Sequence, residues 1–108
     1  MQQGLVTEVL KRGQGKEARS GDTVQVHYVG SFPDGRRFET SRDRGEPFRF
    51  QLGAGKVMRG WDEGIQGMKA GEVRKLTIPP SLAYGDSQVG AIPPNSTLVF
   101  ELELVSVL

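Results

Sequence analysis

Only one stretch of this sequence carries a clear helical pattern, and it cannot stand alone. Val57, Met58, Trp61, Ile65 and Met68 recur at offsets of three, four and seven, one face of a short helix. Arg59, Asp62, Glu63 and Gln66 fall on the other side. Glycines at 53, 55, 60, 64, 67 and 71 punctuate it, and each interior one costs ~1 kcal/mol relative to alanine. Such a helix needs a sheet to hold it, and its small residues would let that sheet approach closely. The stretch also holds the chain's only tryptophan, Trp61.

The rest of the chain supplies the sheet. Residues 5–10 read as a first strand, ended by Gly13, Gly15 and the Ser20-Gly21-Asp22 turn signal. In residues 23–29, Val24, Val26 and Tyr28 share one face while Gln25 and His27 take the other. Phe32-Pro33-Asp34-Gly35 is a turn, with proline setting φ and glycine supplying the positive-φ position. Residues 38–40 and 48–52 read as pieces of one strand interrupted by a bulge or excursion over 41–47. Residues 72–78 form a further strand, closed by Pro79-Pro80. Residues 97–107 alternate most clearly, with Leu98, Phe100, Leu102 and Leu104 on one face. The connection between them, 81–94, is long for a compact domain, which marks it as functional. The expected fold is α+β: a twisted five- to six-stranded antiparallel sheet wrapped around one short helix, in a single domain spanning 1–108.

Several function classes are excluded by what is missing. The chain has no cysteine and one histidine, so disulfides, thiol nucleophiles and histidine-rich metal sites are not available. His27 lies mid-strand with no serine on a glycine elbow to serve, and reads as structural or exposed. No phosphate-binding glycine motif is present. A net charge of +1 offers no electrostatic drive toward nucleic acid or membrane. No signal peptide or membrane span is seen, and the expectation is a cytoplasmic monomer without metal or cofactor. Asp62-Glu63 is expected to face solvent. Arg36-Arg37 and Arg42-Asp43-Arg44 read as solvated surface with local ion pairs, and Phe48-Arg49-Phe50 as a strand with both rings on the core face.

What remains is a set of seven aromatic residues from separate segments: Tyr28, Phe38, Phe48, Phe50, Trp61, Tyr84 and Phe100. They either fill the core or build an apolar pocket with polar tips.

Seven short stretches, taken in order, resemble the FKBP-type peptidyl-prolyl isomerases. They are Val26-His27-Tyr28, Asp34-Gly35 with Phe38, Ser41-Arg42-Asp43-Arg44, Pro47-Phe48, Val57-Met58-Arg59-Gly60-Trp61, Ala83-Tyr84-Gly85 and Ile92-Pro93-Pro94. The resemblance implies a pocket with Trp61 as floor and Tyr28, Phe38, Phe48, Val57, Met58, Ile92 and Phe100 as walls. It implies that the Tyr84 hydroxyl and the Met58 backbone N–H donate to a substrate carbonyl, and that Arg44 holds the carboxylate beside Phe38. Tyr28, Phe38, Glu39, Tyr84 and Phe100 would carry catalysis. The implied partners are proline-containing peptides, unfolded or folding proteins, and tacrolimus- or rapamycin-type macrolides. The alternative is a non-catalytic module that holds a partner in the same pocket. Three departures stand out: Glu39 replaces the usual aspartate, the loop over 86–91 is short, and Ala91 replaces a larger aliphatic residue, which would open one edge of the site.

Overall fold

The computed structural model describes residues 4–41 and 45–108. Six strands, β1 (Val6–Lys11), β2 (Thr23–Ser31), β3 (Arg37–Thr40), β4 (Phe48–Gln51), β5 (Val73–Ile78) and β6 (Leu98–Val107), form one antiparallel sheet with one helix, α1 (Arg59–Gly64), against it. The order is β1-β5-β6-β2-β3, and β4 also pairs with β2. β3 takes the Val29–Ser31 end of β2 and β4 takes Thr23–Val26. The two therefore lie in succession along one edge, as expected of a single interrupted strand. The interruption includes 42–44, which lie outside the described residues.

The alternation read in β2 and β6 decides which face is buried. Val24, Val26, Tyr28, Leu98, Phe100, Leu102 and Leu104 are buried, and so are Leu76 and Ile78 of β5. They close on Trp61, Ile65 and Met68, the helical face expected from spacing. β1 is different: all six of its residues are exposed, because it forms the sheet's outer edge.

The regular helix is shorter than its pattern suggested. It runs for six residues, Ile65 is its C-cap, and Gly67 turns the chain at φ +88°. Two of its glycines have a tertiary reason. A Cβ at Gly60 would lie 2.5 Å from Ile78 Cγ2, and one at Gly64 would lie 2.6 Å from Leu76 Cδ1. Carbons meet comfortably at about 3.5–4.0 Å, so only glycine lets α1 settle this closely on β5.

A half-hidden ion pair ties the end of the helix to the sheet. Arg74 Nη2 lies 2.7 Å from Glu72 Oε2, and Arg74 Nη1 donates to the Gly64 carbonyl at 3.1 Å. The other Glu72 oxygen accepts the Lys69 N–H at 3.0 Å. The Arg74 bond to Gly64 satisfies a carbonyl that a helix C-terminus otherwise leaves unpaired. Among the described residues no helix is long and apolar enough to cross a membrane.

Candidate functional site

β2, β4, β6 and α1 each present a ring to one point. Trp61 sits at the centre, its ring centroid 4.9 Å from Tyr28, 5.2 Å from Phe100, 5.8 Å from Phe50 and 6.2 Å from Phe48. The Tyr28, Phe48 and Phe100 contacts are edge-to-face, the arrangement aromatic quadrupoles prefer. Trp61 Nε1 is buried with no hydrogen-bond partner among the described residues.

Above this cluster opens a cavity of about 720 Å³, within the range of small-ligand sites. Of the residues expected at a pocket, Tyr28, Glu39, Phe48, Val57, Met58, Trp61, Tyr84 and Phe100 line it. Phe38 and Ile92, expected as walls, are not in the lining. Phe38 packs one ring behind, 5.7 Å from Phe100 and 5.1 Å from Phe32. Ile92 is buried in the core. Arg44 lies outside the described residues. Ala91 is exposed and, like residues 87–90, takes no part in the lining.

Expectation and structure differ elsewhere as well. Phe48 and Phe50 share a face, but Phe50 is buried while Phe48 is 37% exposed and forms cavity wall over it. Asp62 was expected to face solvent. Instead its carboxylate accepts the N–H groups of Gly53 at 2.8 Å and Gly55 at 3.1 Å, pinning the connection that leads to Val57 and Met58. Its neighbour Glu63 pairs with Arg59 at the surface. His27 has a structural role: its Nδ1 lies 3.0 Å from Ser41 Oγ, which also accepts the Tyr28 N–H at 2.7 Å. Ser41 is fully buried, although the Arg42-Asp43-Arg44 run directly after it reads as solvated surface.

The polar tips are few. Tyr28 donates its hydroxyl to Glu39 Oε2 at 2.6 Å, so the longer glutamate still reaches the ring that aspartate would be expected to meet. Tyr84 is 36% exposed on the opposite lip. Burial, then the nearby Glu39 charge, push its phenol above the ordinary tyrosine value and keep it a donor. Met58 is the N-cap residue of α1, a position whose N–H has no partner inside the helix. Glu46, Arg49, Gly55 and Lys56 complete the lining. None was singled out as a pocket residue from the sequence: Glu46 and Lys56 are exposed charges between elements, Arg49 is an exposed residue of β4, and Gly55 has no side chain. Among the described residues no three His, Asp or Glu side chains gather to hold a metal ion.

Chemically, the arrangement can hold a small apolar ring on an indole platform, keep water from it, and offer hydrogen bonds to a carbonyl at its edge. Among the described lining residues there is no serine, threonine, cysteine or histidine.

Comparison with known proteins agrees with this geometry. The family described as FKBP-type peptidyl-prolyl cis-trans isomerase matches residues 14–105. The chain is 58% identical over 106 residues to FK506-binding protein 1A of Neurospora crassa, covering 96% of this chain and 88% of that one. It is 52% identical over 108 residues to FK506-binding protein 2 of Yarrowia lipolytica, covering 99% and 75%. The crystal structure of AtFKBP13 superposes with a TM-score of 0.90 at 39% identity, covering 96% of this chain and 93% of that one.

Proposed function

The chain belongs to the FKBP-type peptidyl-prolyl cis-trans isomerase family, and from that membership we propose that the Trp61 cavity is where it turns Xaa–Pro bonds. The observation that carries the proposal is the ring cage of Tyr28, Phe48, Trp61 and Phe100 beneath an opening of about 720 Å³.

The chemistry suits a site whose described lining has no serine, threonine, cysteine or histidine. An Xaa–Pro bond isomerises in tens to hundreds of seconds unaided, because rotation breaks amide resonance. The twisted amide is less charge-separated than the planar one, so a water-poor cage favours it. The proline ring lies on Trp61 and is held while the preceding carbonyl turns. Tyr84 Oη and the Met58 N–H donate to carbonyls at the edge, and a bond stronger in the twisted state lowers the barrier. One neutral hydrogen bond of about 1 kcal/mol gives roughly fivefold in rate. Glu39, engaged by the Tyr28 hydroxyl, keeps that ring in place as a wall.

The proposal extends to tacrolimus- and rapamycin-type macrolides as competitors for the cavity, and to proline-containing segments of folding proteins as substrates. It includes action as a monomer in the cytoplasm, which sedimentation and cell fractionation address. The deciding experiment is a protease-coupled peptide assay at micromolar enzyme, with and without tacrolimus, beside a titration that follows Trp61 fluorescence. Catalysis abolished by the macrolide supports the reading. Binding with only the uncatalysed rate would assign a non-catalytic partner-binding module, and neither signal would remove the pocket from the argument.

A further inference from the structure

We propose that Asn95 is a positioning residue for Tyr84: by holding a left-handed backbone conformation, it aims the N–H that ties the Tyr84–Gly85 stretch of the cavity lip to the core. The inference rests on the isomerase reading above and deepens it.

Among the described residues, Asn95 is the only one other than glycine with positive φ, at +59°. Asparagine visits this region more readily than most side chains, whereas a β-branched residue there is an outlier. Pro94 before it supplies the fixed φ of a turn whose next residue takes positive φ. Held there, Asn95 donates its backbone N–H to the Gly85 carbonyl at 2.8 Å. The Asn95 side chain is exposed and makes no hydrogen bond among the described residues, so its contribution is conformational.

Tyr84 lines the cavity from a connection with little regular structure. Two other backbone bonds hold it: the Gly85 N–H donates to the Pro80 carbonyl at 2.8 Å, and the Ser87 N–H to the Tyr84 carbonyl at 3.1 Å. Both are local, spanning five residues or fewer. Of the three, only the Asn95 bond reaches from the far end of the connection. The Asn95 turn is itself anchored, because Ile92 and Leu98 on either side are buried in the core and Ser96 Oγ donates to the Pro93 carbonyl at 2.8 Å. A phenol that must meet a carbonyl gains from this support, since a donor already in place needs no reorganisation when substrate arrives.

The test is kcat and KM for one proline peptide in wild type, Asn95→Gly, Asn95→Ala, Asn95→Val, Tyr84→Phe and the Asn95→Val/Tyr84→Phe double variant, each shown to be folded by circular dichroism. Asn95→Gly keeps positive φ accessible and should stay within about twofold of wild type. Asn95→Val should lower kcat about two- to fivefold, up to the worth of one neutral hydrogen bond, with KM little changed. Asn95→Ala, a milder obstacle to positive φ, should fall between them and serves if the valine variant does not fold. In the Tyr84→Phe background the Asn95 substitution should have almost no effect, because the hydroxyl it would misplace is already gone. Gly21→Val imposes similar strain at φ +98°, in a turn outside the cavity lining, and should leave kcat alone. A loss equal in both backgrounds, no loss at all, a loss matched by Gly21→Val, or Tyr84→Phe at the wild-type rate would each overturn the inference while leaving the isomerase reading intact. The uncatalysed rate in every sample, wild type included, would instead overturn the isomerase reading and this inference with it.

Discussion

Gly60→Ala sets two physical effects against each other. Helix propensity alone favours alanine by about 1 kcal/mol at an interior helical position. The structure opposes it, because the new Cβ would lie 2.5, 2.9 and 3.0 Å from Ile78 Cγ2, Cδ1 and Cγ1. Ile78 is fully buried and β-branched, so its χ1 has little freedom to move away. Overpacking of this kind costs about 1–3 kcal/mol, leaving a net loss of about 0–2 kcal/mol after the propensity gain. The measurement is urea unfolding followed by far-UV circular dichroism, with an unchanged m-value as the condition for comparison. Ile78→Ala provides the decisive control. With the obstructing carbons gone, Gly60→Ala should become stabilising by about 1 kcal/mol, giving a coupling of about 1–3 kcal/mol in the double-mutant cycle. Gly64→Ala should cost less, since it meets the rotatable methyl tips of Leu76. A stabilising Gly60→Ala that adds independently to Ile78→Ala would refute the close-approach argument.

The remaining predictions concern the site and its support. Tyr84→Phe should lower kcat/KM by no more than about tenfold, the worth of one neutral hydrogen bond. Phe38→Ala should lower it further, since Phe38 supports Phe100 from behind; the reverse order in the peptide assay would count against exclusion of water as the main effect. Arg74→Met should destabilise by about 3 kcal/mol in urea, because it leaves the Glu72 carboxylate buried without its partner; a loss below about 1 kcal/mol would show the pair to be incidental. Tyr84 has a folded-state pKa raised above its unfolded value of about 10. Its contribution to stability should be complete below pH ~10 and fall away as pH rises through the folded value. The urea midpoints of wild type and Tyr84→Phe, compared across this window, should converge or cross, and a constant difference would contradict the shift.

Much of this protein follows from local pattern. The alternation of Val24, Val26 and Tyr28, and of Leu98 through Leu104, marks buried strand faces, because side chains on a strand point to opposite sides in turn. The Phe32–Gly35 turn is equally local: Gly35 takes φ +93° and donates to the Phe32 carbonyl at 2.9 Å. The aromatic set was visible as a list, and the family resemblance gave it a place. What the list could not rank was position along the third dimension. Phe38 supports Phe100 from behind, Phe48 covers Phe50, and Ile92 sinks into the core. These depths are set by the neighbours each side chain meets across the fold, and the closeness of α1 to β5 is likewise set by Leu76 and Ile78 meeting two glycines. Asp62 was legible only as a polar residue on the solvent side of the helix, and Ser41 only as part of the excursion between two strand pieces. Their partners, the Gly53 and Gly55 N–H groups for one and His27 and the Tyr28 N–H for the other, are supplied by chain brought near by folding. Periodicity records which face of an element is apolar. Which faces meet, and how near, is a property of contacts between distant residues, and the mouth of this cavity is built from such contacts.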